Sequence, residues 1–98
     1  MDEGDLEYEL RRRQERAHIL GAILKAIDQF DTVVAVIRSA GSALAARTAL
    51  METLDLDEVQ GSAVAAMQVM RLASRHQLAS EYEELTAQIA ELESRLAR

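Results

Sequence analysis

Residues 78–96, LASEYEELTAQIAELESRL, decide the fold. Leu78, Tyr82, Leu85, Ile89, Leu92 and Leu96 recur there at steps of four, three, four, three and four. Such steps put six side chains on one stripe of an α-helix, the a/d seam of a coiled coil. Glu81, Glu83, Glu84, Glu91, Glu93 and Arg95 lie between them and predict a solvated face. Glu91 precedes Arg95 by four residues, the favourable order for a helical ion pair. Ser80 and Glu83 have capping-box spacing, but Leu78 already belongs to the stripe, so the helix is expected to start near Arg75. A seam of this kind needs a partner helix.

The partner is legible at the other end of the chain. Leu6, Leu10, Arg13, Ala17, Leu20, Leu24 and Ile27 step by four and three in the same way. Glu7–Arg11 and Glu9–Arg13 have the spacing of surface ion pairs, and the stem of Arg13 can pack on the seam while its head reaches water. A second stripe, Ile19, Ile23, Phe30, Val34 and Ile37, predicts one long helix whose later part buries most of its circumference. Gly21 sits inside it, at a cost of about 1 kcal/mol relative to Ala. Ala40-Gly41-Ser42 ends the helix, with Gly41 suited to a left-handed position and Ser42 to an N-cap. A helix of roughly ten residues ending near Thr53 is expected next. Asp55-Leu56-Asp57 breaks the chain again, and Asp57 can cap a helix from Glu58 to about Leu72. Val59, Ala63, Val64, Met67, Met70 and Leu72 make that helix apolar over a wide face. The two seams pair most simply with each other. The expected fold is all-α: a long antiparallel helical hairpin, or coiled-coil arm, with a small globular helical tip. The chain reads as one domain, residues 1–98, with arms at about 5–29 and 76–98 and the tip at about 30–75.

Composition agrees with that class and excludes others. Proline is absent, so nothing forbids long helices, and the 3% aromatic content is poor for strands. The 98 residues support one domain with a modest core, for which a second copy would be useful. The net charge of -6 opposes a general phosphate-binding field, so DNA binding by the chain alone is not expected. Absence of cysteine removes disulfides and thiol chemistry. No apolar run reaches the roughly 20 residues of a membrane span, and the acidic start Met1-Asp2-Glu3-Gly4-Asp5 has no secretory character. A cytoplasmic protein without membrane contact is expected.

Glu15-Arg16-Ala17-His18-Ile19-Leu20, Ala26-Ile27-Asp28 and Val36-Ile37-Arg38 resemble one coiled-coil arm of the A subunit of bacterial DNA gyrase and topoisomerase IV. Ala46-Arg47 with Leu50-Met51, then Leu56-Asp57-Glu58-Val59-Gln60, continue the resemblance in order, the latter standing where the family has Leu-Ser-Glu-Ile-Gln. Met67 and Arg71-Leu72 occupy the place of the family's Asp-Met-Arg-Leu-Gln-Arg-Leu stretch. Leu85, Ile89-Ala90 and Glu91-Leu92-Glu93 resemble the returning helix. The resemblance implies an exit gate, in which antiparallel arms end in globular tips that pair. The apolar strip Val64, Met67, Val69, Met70 and Leu72, which one small tip cannot fully bury, is expected to stay exposed as a dimer interface, and Met67 and Met70 lie where the resemblance puts that interface. Ala66, Gln68 and Met70 replace the family's Asp, Arg and Gln, and Ser74-Arg75-His76 replaces its Gly-Leu-Glu; Ala66 and Met70 make the strip more apolar. The implied role is a non-enzymatic dimerisation module whose partner is itself. A free-standing gate mimic that regulates a topoisomerase by pairing with its A subunit stays open at this point, as does a generic helical-hairpin adaptor.

No catalytic, cofactor or metal site is expected. Tyr8 and Tyr82 lie on the arms among glutamates, a poor setting for a nucleophilic phenolate. His18 and His76 are far apart and lack cysteine companions, which disfavours zinc; hydrogen bonding along the arm suits His18 and a surface place suits His76. Arg11, Arg12, Arg13 and Arg16 are interleaved with Glu7, Glu9 and Glu15 and read as a salt-bridged face. Met51 is expected in the core. Asp55, Asp57 and Glu58 read as helix-capping residues, since the oxygen ligands and glycine of a calcium loop are missing.

Overall fold

The computed structural model describes residues 2–67 and 73–97. Among them are five helices and no strand: α1 (Glu3–Asp28), α2 (Phe30–Ser39), α3 (Ala43–Leu54), α4 (Glu58–Ala65) and α5 (Arg75–Leu96). Asp2 caps α1 by accepting the Asp5 N–H at 2.9 Å. Glu3 and Asp5 stand at its positive end and Lys25 at its negative end, each sign matched to the helix dipole. Lys25 also donates to the Leu54 carbonyl at 2.8 Å, tying the end of α3 to α1.

The single long helix expected through Ile37 is two helices. Gln29 breaks it, with φ -114° and ψ 36°. The hydrogen bonding is carried across, since the Gln29 N–H donates to Lys25 O and its own carbonyl accepts from Val33 N–H, both at 3.0 Å. Neither proline nor glycine stands at the break. Its cause is tertiary: α2 turns off the line of α1 to pack on α3, and Val33 becomes buried with Ala26, Leu50 and Leu54.

The intervening breaks are capped much as the residues require. Ser42 accepts from Ala45 N–H at 3.1 Å at the start of α3. Asp57 and Gln60 form a reciprocal capping box at the start of α4. Gly41 does not take the left-handed position assigned to it. Among the described residues that conformation belongs to Asp55 alone, at φ 55°, where it ends α3, and the next N–H, of Leu56, reaches back to Met51 O at 2.8 Å. Aspartate tolerates this region better than most side chains. The fourth helix is shorter than expected. It ends at Ala65, where Met67 N–H turns in to Val64 O at 3.1 Å, and the continuation toward Leu72 lies outside the described residues.

Two apolar clusters hold the elements together. One combines Ala22 and Ala26 of α1 with Val33, Leu50, Leu54, Leu56 and Val64, and Val36 and Met51 pack against it. The other joins Leu20 and Ile23 to Leu78 of α5, with Ile19, Leu24, Ile27 and Leu85 around them. Met67 touches both clusters. The second half of α1 is thus a wall shared by the hairpin and the tip. Alanines on that wall and Gly61 on α4 allow close approach. A Cβ added at Gly61 would lie 2.5 Å from Met51 Cγ. The result is an elongated body with extents of 50 × 25 × 17 Å.

Candidate pairing surface and the helical hairpin

The direction of the hairpin is written in its polar contacts. Arg13 Nε donates to Gln88 Oε1 at 2.8 Å, Arg16 Nε to Glu81 Oε1 at 3.0 Å, and Arg75 meets Asp28 through two bonds of 2.9 and 3.0 Å. Numbers rise along α1 as they fall along α5, so the helices run antiparallel. The Arg75 guanidinium holds the Asp28 carboxyl below its usual range. Arg13 behaves as an amphipathic seam residue: half-buried, it also donates to the Glu9 carbonyl at 3.3 Å and stands 3.8 Å from the Glu9 carboxylate.

Of the seam residues, Leu6, Leu20, Leu78 and Leu92 are buried. Leu10, Ala17, Leu24, Leu85, Ile89 and Leu96 are half-buried. Tyr82 is 37% exposed, yet its ring lies over α1 at Gly21, where an added Cβ would stand 3.3 Å from the ring Cε2. The glycine that costs α1 some helical propensity makes room for an aromatic ring of α5. Spacing alone does not reveal this role, because the contact crosses between helices.

The arginine run is used within the fold. Arg13 and Arg16 cross to α5, and Arg12 sits 5.8 Å from the Tyr8 ring centroid while donating to its hydroxyl at 3.1 Å. That contact raises the Arg12 pKa further. His76 is exposed on the first turn of α5. The bonding expected for His18 along the arm is replaced by bonding across it: among the described contacts its ring reaches Asp57 and Gln60 at the start of α4. Sequence reasoning missed this cluster because its members are some forty residues apart. Among the described residues, no group of three or more His, Asp and Glu side chains is placed to hold a metal ion. No described helix is long and apolar enough to cross a membrane.

The tip strip is redrawn by the structure. Val64 is only 4% exposed and belongs to the chain's own core, which corrects its place on an exposed strip. The reason is that α4 packs on both α1 and α3 and turns Val64 inward. Met67 is half-buried, and Val69, Met70 and Leu72 lie outside the described residues. Beside Met67 a largely apolar groove opens between α2 and α4, lined by Phe30, Val33, Val34, Ile37, Val64, Ala65 and Met67, with Arg38 as its one charged residue. Ile37 is 49% exposed. The stripe of Phe30, Val34 and Ile37 reads as core in the sequence, but part of it faces this opening. Periodicity shows that a helix has an apolar face and does not show whether the chain itself covers it.

The family model for the A subunit of DNA gyrase and topoisomerase IV matches residues 3–98. The chain belongs to that family. It is 43% identical over 93 residues to the DNA gyrase A subunit of Mycobacterium tuberculosis (strain ATCC 25618 / H37Rv), covering 93% of this chain and 11% of the relative. It is 44% identical over 92 residues to the DNA gyrase A subunit of Streptomyces coelicolor, covering 92% and 11%. The corresponding protein of Synechocystis is 40% identical over 93 residues, covering 93% and 11%. The chain therefore spans 11% of the length of these gyrase subunits, and is a topoisomerase-related helical module.

Proposed function

We propose that this gyrase A-like module is a non-enzymatic dimerisation element of the exit-gate type, pairing tip to tip with a second copy of itself. The observation that carries the reading is the apolar groove between α2 and α4 at the end of the hairpin, with Ile37 exposed on it. A two-fold contact is self-complementary, so one groove with its apolar rim serves both copies. A stable pair of this kind buries at least about 1,000 Å² in total. The hairpin is then the coiled-coil arm that carries the tip.

Sedimentation equilibrium at tens of micromolar tests the reading. A dimer is expected, and a monomer overturns it. Ile37→Asp is the informative variant, because Ile37 is largely outside the core, whereas Met67→Asp would damage both apolar clusters. A carboxylate in an apolar interface costs several kcal/mol, roughly, so the variant is expected to be a folded monomer. Mixing with a gyrase A subunit separates module from regulator: a module remains a homodimer, and a gate mimic exchanges into heterodimers.

A further inference from the structure

Asp57 and Gln60 bond to each other twice. Asp57 Oδ1 accepts from the Gln60 backbone N–H at 2.8 Å, and Gln60 Oε1 accepts from the Asp57 backbone N–H at 3.0 Å. The second bond settles which way round the Gln60 amide sits, because only its oxygen can accept. Its Nε2 therefore faces α1. There it donates to the His18 carbonyl at 2.9 Å and stands 3.3 Å from His18 Nδ1.

An amide nitrogen donates and does not accept, so Nδ1 of a neutral ring must be the bare, accepting nitrogen. The ring hydrogen is then on Nε2, which contacts Asp57 Oδ2. The bonds close on themselves. Asp57 N–H donates to Gln60, Gln60 donates to His18, and His18 donates back to the Asp57 carboxylate. Every donor in the circuit meets an acceptor with one ring tautomer, and two donors collide with the other. The Asp57 carboxyl is held below its usual range by the Gln60 backbone N–H and then by His18, in agreement with its place as the acceptor.

We propose that this circuit is a latch: it locks the neutral His18 ring in its Nε2–H tautomer and pins the start of α4 to the flank of α1. No other polar contact in the fold ties α4 to α1 among the described residues. Beyond it, α4 is eight residues long and is held by apolar contacts and by one bond from α3, Arg47 Nη1 to Ser62 Oγ at 2.9 Å, so the latch sets the point from which α4 is directed along α1 toward the groove.

Two measurements on the full chain test the latch. The first is the pair of imidazole ¹⁵N shifts of His18, followed on the alkaline side where they report a neutral ring. The wild-type ring is expected to show the Nε2–H form alone, and the double variant Asp57→Ala/Gln60→Ala, which removes both partners of the ring, to move both shifts toward a mixture of tautomers. Identical shifts in the two proteins overturn the proposal. The second is hydrogen exchange at the Gln60 backbone amide. His18→Ala is expected to speed it about fivefold, as loss of a polar contact at a locally opening helix start requires. An unchanged rate likewise overturns the proposal. Both readouts belong to the single chain, so they hold or fail whether or not the tips pair.

Discussion

Gly21 and Gly61 are both helical glycines, and each faces a side chain of another helix. Their substitution should nevertheless have opposite effects. At Gly61 a new Cβ would lie 2.5 Å from Met51 Cγ, mid-way along a side chain packed against the core. Overpacking of this kind costs about 1–3 kcal/mol, which outweighs a gain of about 1 kcal/mol in helix propensity. Gly61→Ala should therefore lower the melting temperature, and should do so much less in a Met51→Ala background. At Gly21 the neighbour is the rim of the Tyr82 ring at 3.3 Å, and that ring is partly exposed and can shift. Gly21→Ala should leave stability unchanged or raise it by up to about 1 kcal/mol. Thermal unfolding of these variants beside wild type checks the set. A Gly61→Ala protein that melts higher than wild type would show that α3 and α4 pack less closely than described. The two depressed carboxyls allow a further test. Asp28 is held down by Arg75, and Asp57 by Gln60 and His18. Unfolding returns each to about 3.9, so the unfolded chain binds protons more readily. Their contribution is present above about pH 4 and is lost as the pH falls through the lower folded values. Asp28→Asn should flatten the stability curve in that acid range and leave its shape near neutrality unchanged. Curves of equal steepness below about pH 4, by chemical denaturation, would count against the ion pair.

At the scale of the element, the buried residues of the seam hold the hairpin together. Leu92 is 5% exposed between α1 and α5, whereas Leu85 is half-buried. Leu92→Ala should cost about 2–5 kcal/mol, the range for truncating a buried leucine, and Leu85→Ala should cost less. The surface ion pairs matter little by comparison: Arg16→Ala, removing a half-exposed partner of Glu81, should cost under about 1 kcal/mol. Helical circular dichroism followed through thermal unfolding gives the order. If Arg16→Ala proves costlier than Leu92→Ala, the hairpin is held by charge and not by its apolar seam. These elements are largely legible from the residues alone. The 3,4 spacing of Leu78 to Leu96 is a local property, and so are the caps at Ser42 and Asp57. The break at Gln29 is not legible, since no residue there disfavours a helix and only packing against α3 redirects the chain.

Across the whole molecule, charge and the tip groove make two expectations. With a net charge of -6 and Arg12, Arg13 and Arg16 engaged inside the fold, duplex DNA should bind weakly and lose affinity steeply with salt. Submicromolar binding in a gel-shift assay at near-physiological salt would be inconsistent with that arrangement. If the tips pair, association stabilises the folded chain by mass action, so the melting temperature should rise with protein concentration. Ile37→Asp should abolish the concentration dependence while leaving the dilute melting temperature close to that of wild type. A wild-type melting temperature independent of concentration from one to a hundred micromolar, roughly, would speak against pairing in the terms of the same linkage.

Helix type, the order of the segments and the two seams follow from residue spacing, because a helix brings i, i+3 and i+4 together whatever surrounds it. Leu6 to Leu24 and Leu78 to Leu96 carry that information without help from the rest of the chain. Contacts between residues distant in sequence need the tertiary structure. Tyr82 lies on Gly21, Met51 presses on Gly61, and His18 meets Asp57 and Gln60 only because α1, α3, α4 and α5 pack side by side. The same holds for the groove. Val64 and Ile37 are both apolar residues on apolar helical faces, and composition cannot distinguish them. Packing of α4 on α1 and α3 buries Val64, and the turn at Gln29 leaves Ile37 half in water.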